Sequence, residues 1–452
     1  MTILSTIRRS AFAMAAACAI AIPAQSGEMS MIDGYARLLQ LHQEWRTFER
    51  PPFVRGAPDY TAATFARRHQ ELAEYRQRLA AIDTANWPVE HRVDHELLRA
   101  EMNGFDFYVR VLQPWVRDPA FYQSVWNDQS DTPAHEGSEH HGIVEVWTYK
   151  FPLSKAAEAK LAGELAIVTP LLKQAEGNLT GNARDLWVTG AGSMRKQLDS
   201  LDALAKRTAG GGRALQQAIR AAREATVKFC DWLDAQAPSK TGPSGIGKDN
   251  YSWSLQNVHL VPMTWEEEVD LLKRELARSH ASLKLEEARN AGLPELPMIG
   301  NNEEFQRRAN DAVTRFLDYL RKRNLYPMRD NMDPALRAQI GAWEPIETRN
   351  FFSIATHYEP LTLYTHFYHW WDLARMRDEP HPSPIRANAL LYNIWDSRAE
   401  GMATAMEEFM LHAGLFDDSP RTREIVWIML AQRAARGLAS LYAHANQFDI
   451  AQ

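Results

Sequence analysis

Cysteine is nearly absent from this chain of 452 residues: only Cys18 and Cys230 occur. Cys18 sits in what reads as a removable leader, so the remainder can form no internal disulfide even in an oxidising compartment. Basic charge is also short, with 51 Lys and Arg against 57 Asp and Glu, a net charge of −6. An acidic surface without basic runs argues against nucleic acid or an anionic membrane as partner. Past the leader no apolar run is long enough to span a bilayer. The chain further lacks a phosphate-cradling glycine loop, a G-x-S-x-G elbow, internal repeats and long flexible linkers.

The N-terminus reads as a targeting segment. Arg8-Arg9 precede an apolar run from Ala11 to Ile22, followed by Pro23 and Ala24-Gln25-Ser26. This is the charged, apolar and small-residue order of a secretory signal peptide over residues 1–26. Ala11 stands where a twin-arginine signal prefers Phe, which disfavours that route. Lipidation at Cys18, after Ala15-Ala16-Ala17, is the lesser alternative because the box lacks its large apolar residue. Cleavage removes two Arg and no acid, leaving 49 basic against 57 acidic residues, a net −8. The expected location is therefore outside the cytoplasm, periplasmic or extracellular.

Periodicity in the rest is helical. Phe65, Leu72, Leu79 and Ile82 recur near one helix face, and a second amphipathic run extends from Glu90 to Leu112. Helices are predicted over 154–175, 183–206, 214–235, 397–413 and 420–445. Thr264 with Glu267 forms a capping box that opens another, ending near Gly292-Leu293-Pro294. Phe305, Ala309, Ala312, Phe316 and Leu320 mark one more. Ile143 to Tyr149 alternates and is the one strand candidate. The expectation is an all-α body of residues 27–452, with an N-terminal lobe over about 30–240 and a C-terminal lobe over about 245–452 flanking a central cleft.

Chemistry-bearing residues concentrate near the C-terminus. His366 and His369 stand at i and i+3, so on a helix both imidazoles face the same way and can share one divalent ion. Asp372, six residues after His366, can join only if the helix bends. Glu400 and Glu407 lie two turns apart on a following helix and offer carboxylate ligands or a base. The bland reading is that aromatic-rich helices bury such histidines with carbonyl or Trp neighbours. Arg433, Arg436 and His444 on the last helix can steady an oxyanion, though ion pairs with Asp417, Asp418 or Glu424 are the plainer reading. The cluster His135-Glu136-Gly137-Ser138-Glu139-His140-His141 lacks the H-E-x-x-H order and reads as a solvated loop.

These motifs resemble a known family. Glu400-Gly401-Met402-Ala403-Thr404-Ala405-Met406-Glu407 is similar to E-G-W-A-x-Y-x-E, and Arg433-Ala434-Ala435-Arg436 with His444 to a downstream R-A-A-R and His. Gly247-Lys248-Asp249-Asn250-Tyr251, Leu255 and the helix opening at Thr264 match its mid-region. On these grounds the chain, from about residue 35 to 447, resembles the bacterial domain-of-unknown-function family 885, itself similar to helical zinc peptidases. The resemblance implies a helical, cleft-containing peptidase fold, zinc as cofactor and peptides or proteins as substrates. The family's chains also continue beyond the position of Gln452.

The family's first motif, H-E-x-x-P-G-H-H, is altered here. His366 takes the first His, Phe367 the place of the Glu that serves as general base, Trp370-Trp371 that of Pro-Gly, and Asp372 that of the next His. The implied metal set is His366, Glu400 and either Asp372 or His369. Glu407 or Glu359 would have to replace the base, with Arg436 and His444 at the oxyanion. Two expectations follow: a zinc-dependent peptide hydrolase with a rearranged site, or a non-catalytic descendant that binds peptides or a partner protein.

Overall fold

The structure, a computed structural model, describes residues 24–128, 142–387, 392 and 395–452. The leader through Pro23, including Cys18, and the loop from His135 to His141 lie outside the described residues. The all-α expectation is borne out.

The N-terminal helices are α1 (Ala24–Phe48), α2 (Ala62–Ala80), α3 (Val89–Phe107) and the short α4 (Pro114–Arg117). They are followed by α5 (Lys155–Leu165), α6 (Val168–Asn178), α7 (Arg184–Arg207) and α8 (Arg213–Gln236). Thr61 caps α2, and Phe65, Leu72 and Leu79 share its buried face as their spacing predicts. The segment predicted as one helix over 154–175 is two. Pro170 in the first turn of α6 supplies no N–H for the carbonyl of Ala166, and the chain breaks there. These helices enclose one core in which Trp45, Phe105, Trp187 and Phe229 are fully buried. Each such side chain contributes about 1.5–3 kcal/mol. Trp187 also places its indole N–H on the Leu233 carbonyl at 3.0 Å.

Among the described residues, sheet structure is confined to two-residue strands. β1 (Phe53–Val54) and β2 (Ala57–Pro58) form an antiparallel hairpin, while β3 (Val125–Trp126) and β4 (Val144–Glu145) pair in parallel. The strand predicted over 143–149 shrinks to β4, because Val146–Thr148 turns into a 3₁₀ helix.

The second half comprises α9 (Lys248–Asn257), α10 (Trp265–Arg289), α11 (Asn302–Arg323), α12 (Met332–Arg337) and α13 (Phe351–Tyr358). Then come α14 (Leu361–Tyr364), α15 (Tyr368–Asp378), α16 (Pro384–Ala387), α17 (Trp395–Ala413) and α18 (Pro420–His444). The Thr264 capping box opens α10, and Pro420 occupies the first turn of α18. A second core gathers Phe316, Trp371, Met410 and Phe416. α10 lies antiparallel along α18. Trp265 donates to the Leu441 carbonyl at 2.8 Å, the Arg278 guanidinium lies over Trp427, and Glu286 pairs with Arg423 at 3.1 Å. Gly437 permits this approach, since a Cβ there would meet Leu272 Cδ1 at 2.8 Å.

Between α15 and α17 the chain crosses back to the N-terminal helices. Asp94, with no solvent exposure, accepts from the Tyr35 and Ser383 hydroxyls at 2.7 Å each and pairs with Arg386 at 2.7 Å. Ile385 enters the first core, and the Tyr392 amide donates to Glu101 at 3.0 Å. This strap is the link between the two helices that carry the candidate site, and buried carboxylates hold it. Asp94→Ala leaves Arg386, 26% exposed, without its partner. The expected loss is about 2–3 kcal/mol in a urea titration, below the 3–5 of a fully buried pair because of that exposure. A loss under about 0.5 kcal/mol, the range of ordinary surface substitutions, would show that the strap is not held at this carboxylate.

Candidate metal centre

His366 does not sit on a regular helix. α14 ends at Tyr364, α15 begins at Tyr368, and the residues between form a turn. The amides of His366, Phe367 and Trp370 donate three residues back, to Leu363, Tyr364 and Phe367. The hydroxyls of Thr362 and Thr365 likewise take the carbonyls of Glu359 and Thr362. This is 3₁₀-type bonding, in which side chains at i and i+3 eclipse rather than diverge. In this turn the His366 and His369 rings lie edge to face, with centroids 5.0 Å apart.

Glu400, in the second turn of α17, completes the cluster. One ligand atom from each of His366, His369 and Glu400 can be chosen so that all lie within 4.8 Å of one another. His366 Nε2 is 3.3 Å from Glu400 Oε2, and His369 Nε2 is 3.9 Å from Glu400 Oε1. Ligand atoms around a tetrahedral ion with bonds of about 2.0–2.1 Å lie about 3.3 Å apart. The first pair has that separation; the second, to the other carboxylate oxygen, is about half an ångström longer, and the three donors lie within 4.8 Å of one another, so side-chain shifts of up to about 1.5 Å would close the set. Two imidazoles and a carboxylate are also a zinc donor set, so the residues fit such an ion.

Behind His366 lies a buried charge pair. Glu407, with no solvent exposure, is bridged by Arg433, and its Oε1 is 3.0 Å from His366 Nδ1. Arg433 Nη2 also approaches Nδ1, at 3.1 Å. His366 thus stands between two carboxylates: Nδ1–H donates to Glu407, and Nε2 donates to Glu400 when the ring is protonated, whereas a bound ion would take the Nε2 lone pair, the carboxylate–histidine arrangement that backs metal ligands. Burial pushes the His366 imidazole down, but the bonds to Glu400 and Glu407 outweigh it and raise its pKa above the ordinary value. His369 is pushed down to about 4, by burial first and then by the charge of His366. Burial raises Glu400, yet its hydrogen bond to His366 prevails and holds it below the carboxylate range.

The cluster opens on a cleft of about 890 Å³. Phe352, Leu363 and Phe367 give it apolar walls, while Glu268, Arg436 and Ser440 line it with polar groups. Glu268 was not singled out in the sequence. It lies 98 residues before His366 on a helix whose visible signal is its cap, and no local pattern marks it. Burial pushes its carboxyl upward, partly offset by a 3.0 Å bond from the Tyr251 hydroxyl.

The remaining sequence expectations find other places. Asp372 is buried, 1% exposed, with its oxygens on Arg375 at 2.8 Å and Arg398 at 2.6 Å, so both are engaged away from the cluster. His444 lines a separate cavity with Arg117, Asp118 and Tyr392, where burial and then Arg117 hold its imidazole down. Glu359 pairs with Arg308 at 3.5 Å and caps the Leu361 amide. Glu407 faces His366 rather than the cleft, so neither acid stands where a base would. Asp417, Asp418 and Glu424 pair with Arg423, Arg315 and Arg421, leaving Arg433 to Glu407 and Arg436 to the cleft.

Among curated proteins no sequence matches this chain. A solved structure of a candidate lipoprotein of unknown function from Shewanella oneidensis is similar, with a TM-score of 0.60 at 12% identity. That likeness covers 92% of this chain and 83% of the other, and it speaks to the fold alone. The model of a family of bacterial proteins of unknown function, DUF885, matches residues 54–358. The match ends before His366, so the altered motif lies beyond it. On that match, which spans more than half its length, the chain belongs to the DUF885 family.

Proposed function

We propose that this chain is an exported, zinc-dependent peptide hydrolase whose site has lost its general base. The observation that carries the reading is the convergence of His366, His369 and Glu400 on the cleft wall, with Glu407 and Arg433 behind His366. Export rests on the leader read in the sequence.

His366, His369 and Glu400 would hold the ion. When bound, zinc acts as a Lewis acid on a carbonyl and makes water a better nucleophile at neutral pH. Glu407 fixes the tautomer and orientation of His366, and Arg433 balances the charge of Glu407. Phe352, Leu363 and Phe367 accept an apolar side chain and exclude bulk water from the polar cluster. Phe367 cannot accept a proton, and a missing general base costs about 10²–10⁴ in rate. One observation favours a second reading, a peptide-binding protein without catalysis: the aromatic ring of Phe367 lines the cleft beside His366.

Elemental analysis of the purified protein supplied with zinc is expected to give about one equivalent, lost in His366→Ala and in Glu400→Ala. Glu407→Gln is expected to weaken zinc binding about 10- to 100-fold and also to lower stability, because it leaves the buried Arg433 charge without its partner. Asp372→Ala should lower stability yet leave the stoichiometry unchanged, because Asp372 serves two arginines instead of the cluster. A protein that takes up no zinc under these conditions would sink the metal reading.

Restoring the acid separates the two readings. Phe367→Glu is expected to raise peptide hydrolysis about 10²- to 10⁴-fold over the parent at equal zinc occupancy. Hydrolysis absent in both proteins, with zinc bound, would leave the binding reading alone.

A further inference from the structure

We propose that Arg436 recognises the free C-terminal carboxylate of a peptide, so that the cleft takes peptide ends rather than internal segments. For the position of cleavage this rests on the hydrolase reading; for ligand recognition it stands independently. The argument begins with the charges that line the cleft. Glu400 belongs to the His366–His369 cluster, and Arg433 is committed to Glu407. Glu268 is engaged by the Tyr251 hydroxyl, which donates to its Oε2 at 3.0 Å. Arg436 is exposed and, among the described residues, makes no ion pair or hydrogen bond, although it lines the same cleft. A guanidinium so placed presents a planar fork of donors that matches a carboxylate in two parallel bonds.

Position along α18 adds the register. Arg433 touches His366 Nδ1 and so marks the level of the histidine cluster on that helix. Arg436 lies three residues on, a rise of about 4.5 Å along the axis. An extended peptide advances about 3.3–3.6 Å per residue. A carboxylate on Arg436 therefore terminates the chain one or two residues beyond a carbonyl lodged at His366, His369 and Glu400. Phe352, Leu363 and Phe367 line the same cleft and offer the apolar surface for the side chain preceding that carbonyl. Phe352 sits there because the Arg433 guanidinium packs over its ring, 5.0 Å from the centroid. The ligand class is thus a peptide with a free C-terminus, carrying an apolar side chain one or two residues before its last.

The test uses N-terminally fluorescent hexapeptides with apolar residues near the C-terminus, each made as the free acid and as the amide. Anisotropy titrations are run on the full-length protein, zinc-loaded and chelator-treated. Parent protein is expected to bind the acids about 10- to 100-fold more tightly than the amides. Arg436→Gln should abolish that preference without changing zinc stoichiometry, and Arg436→Lys should keep part of it. Equal binding of acid and amide by the parent, including no detectable binding of either, overturns the proposal. So does a preference that survives Arg436→Gln. An acid preference that persists in the chelated protein and in His366→Ala upholds the Arg436 assignment even if the metal reading fails. Mass spectrometry of cleaved peptides should show loss of one or two C-terminal residues, and internal cleavage of the amides would count against the register.

Discussion

The contact on which the candidate centre depends is the buried meeting of Glu407, Arg433 and His366. It joins three segments distant in sequence: the turn between α14 and α15, the middle of α17, and the middle of α18. A carboxylate with no exposure is costly to bury, and the Arg433 guanidinium, 15% exposed, offsets that cost. Removing one partner of such a pair costs about 3–5 kcal/mol, because the other charge is left behind. The pair therefore sets the relative height of α17 and α18, and with it the distance between Glu400 and His366. Glu400 is two turns from Glu407 on the same face of α17, so holding one positions the other.

The turn at Thr365 to Phe367 supplies the other constraint. A regular α-helix would spread residues 366 and 369 by about 60°. Backbone bonds to the third preceding carbonyl at His366, Phe367 and Trp370, with the Thr362 and Thr365 hydroxyls on nearby carbonyls, tighten the turn that sets the two imidazoles edge to face, 5.0 Å apart. Pro and Gly are absent from this stretch, so hydroxyl-to-backbone bonding does what a helix breaker would otherwise do. The same turn carries Asp372 round to Arg375 and Arg398, where it serves the packing of α15 on α17.

Much of the fold was legible because helix signals are local. The Thr264 capping box, Pro420 and the spacing of Phe65, Leu72 and Leu79 each declare an element within one or two turns. His366, His369 and Glu400 were legible as residue types suited to one ion, and the structure brings them together. The failures lie where a neighbour distant in sequence decides. Asp372 has ligand chemistry, but Arg398, 26 residues on, claims it. His444 falls one turn beyond Ser440 on α18, yet the packing of α9 turns it toward Tyr251 and a different cavity. Glu268 reaches the cleft only because α10 runs beside α18, a pairing that nothing in its own neighbourhood announces. The strap through Ser383, Arg386 and Tyr392 is equally silent in sequence, since its partners Asp94 and Glu101 lie nearly 300 residues earlier.

On the proposed reading, charge count gives Phe367 a consequence beyond the absence of a base at that position. Glu407 and Arg433 cancel, and His369, held down to about 4, is neutral near pH 7. A divalent ion on His366, His369 and Glu400 would then leave the cluster with one net positive charge. An acid at 367 would bring that sum to zero, whereas Phe367 leaves it standing in a partly desolvated cleft, where charge is weakly screened. Arg436 adds a second positive charge on the same wall, opposed by Glu268, whose carboxyl burial pushes upward and the Tyr251 hydroxyl bond lowers. Such a cleft favours an anionic ligand over a neutral one, and a peptide's terminal carboxylate is the anion that also suits apolar walls. On the proposed reading, Phe367 would weaken proton transfer and favour retention of an anionic ligand at the same time.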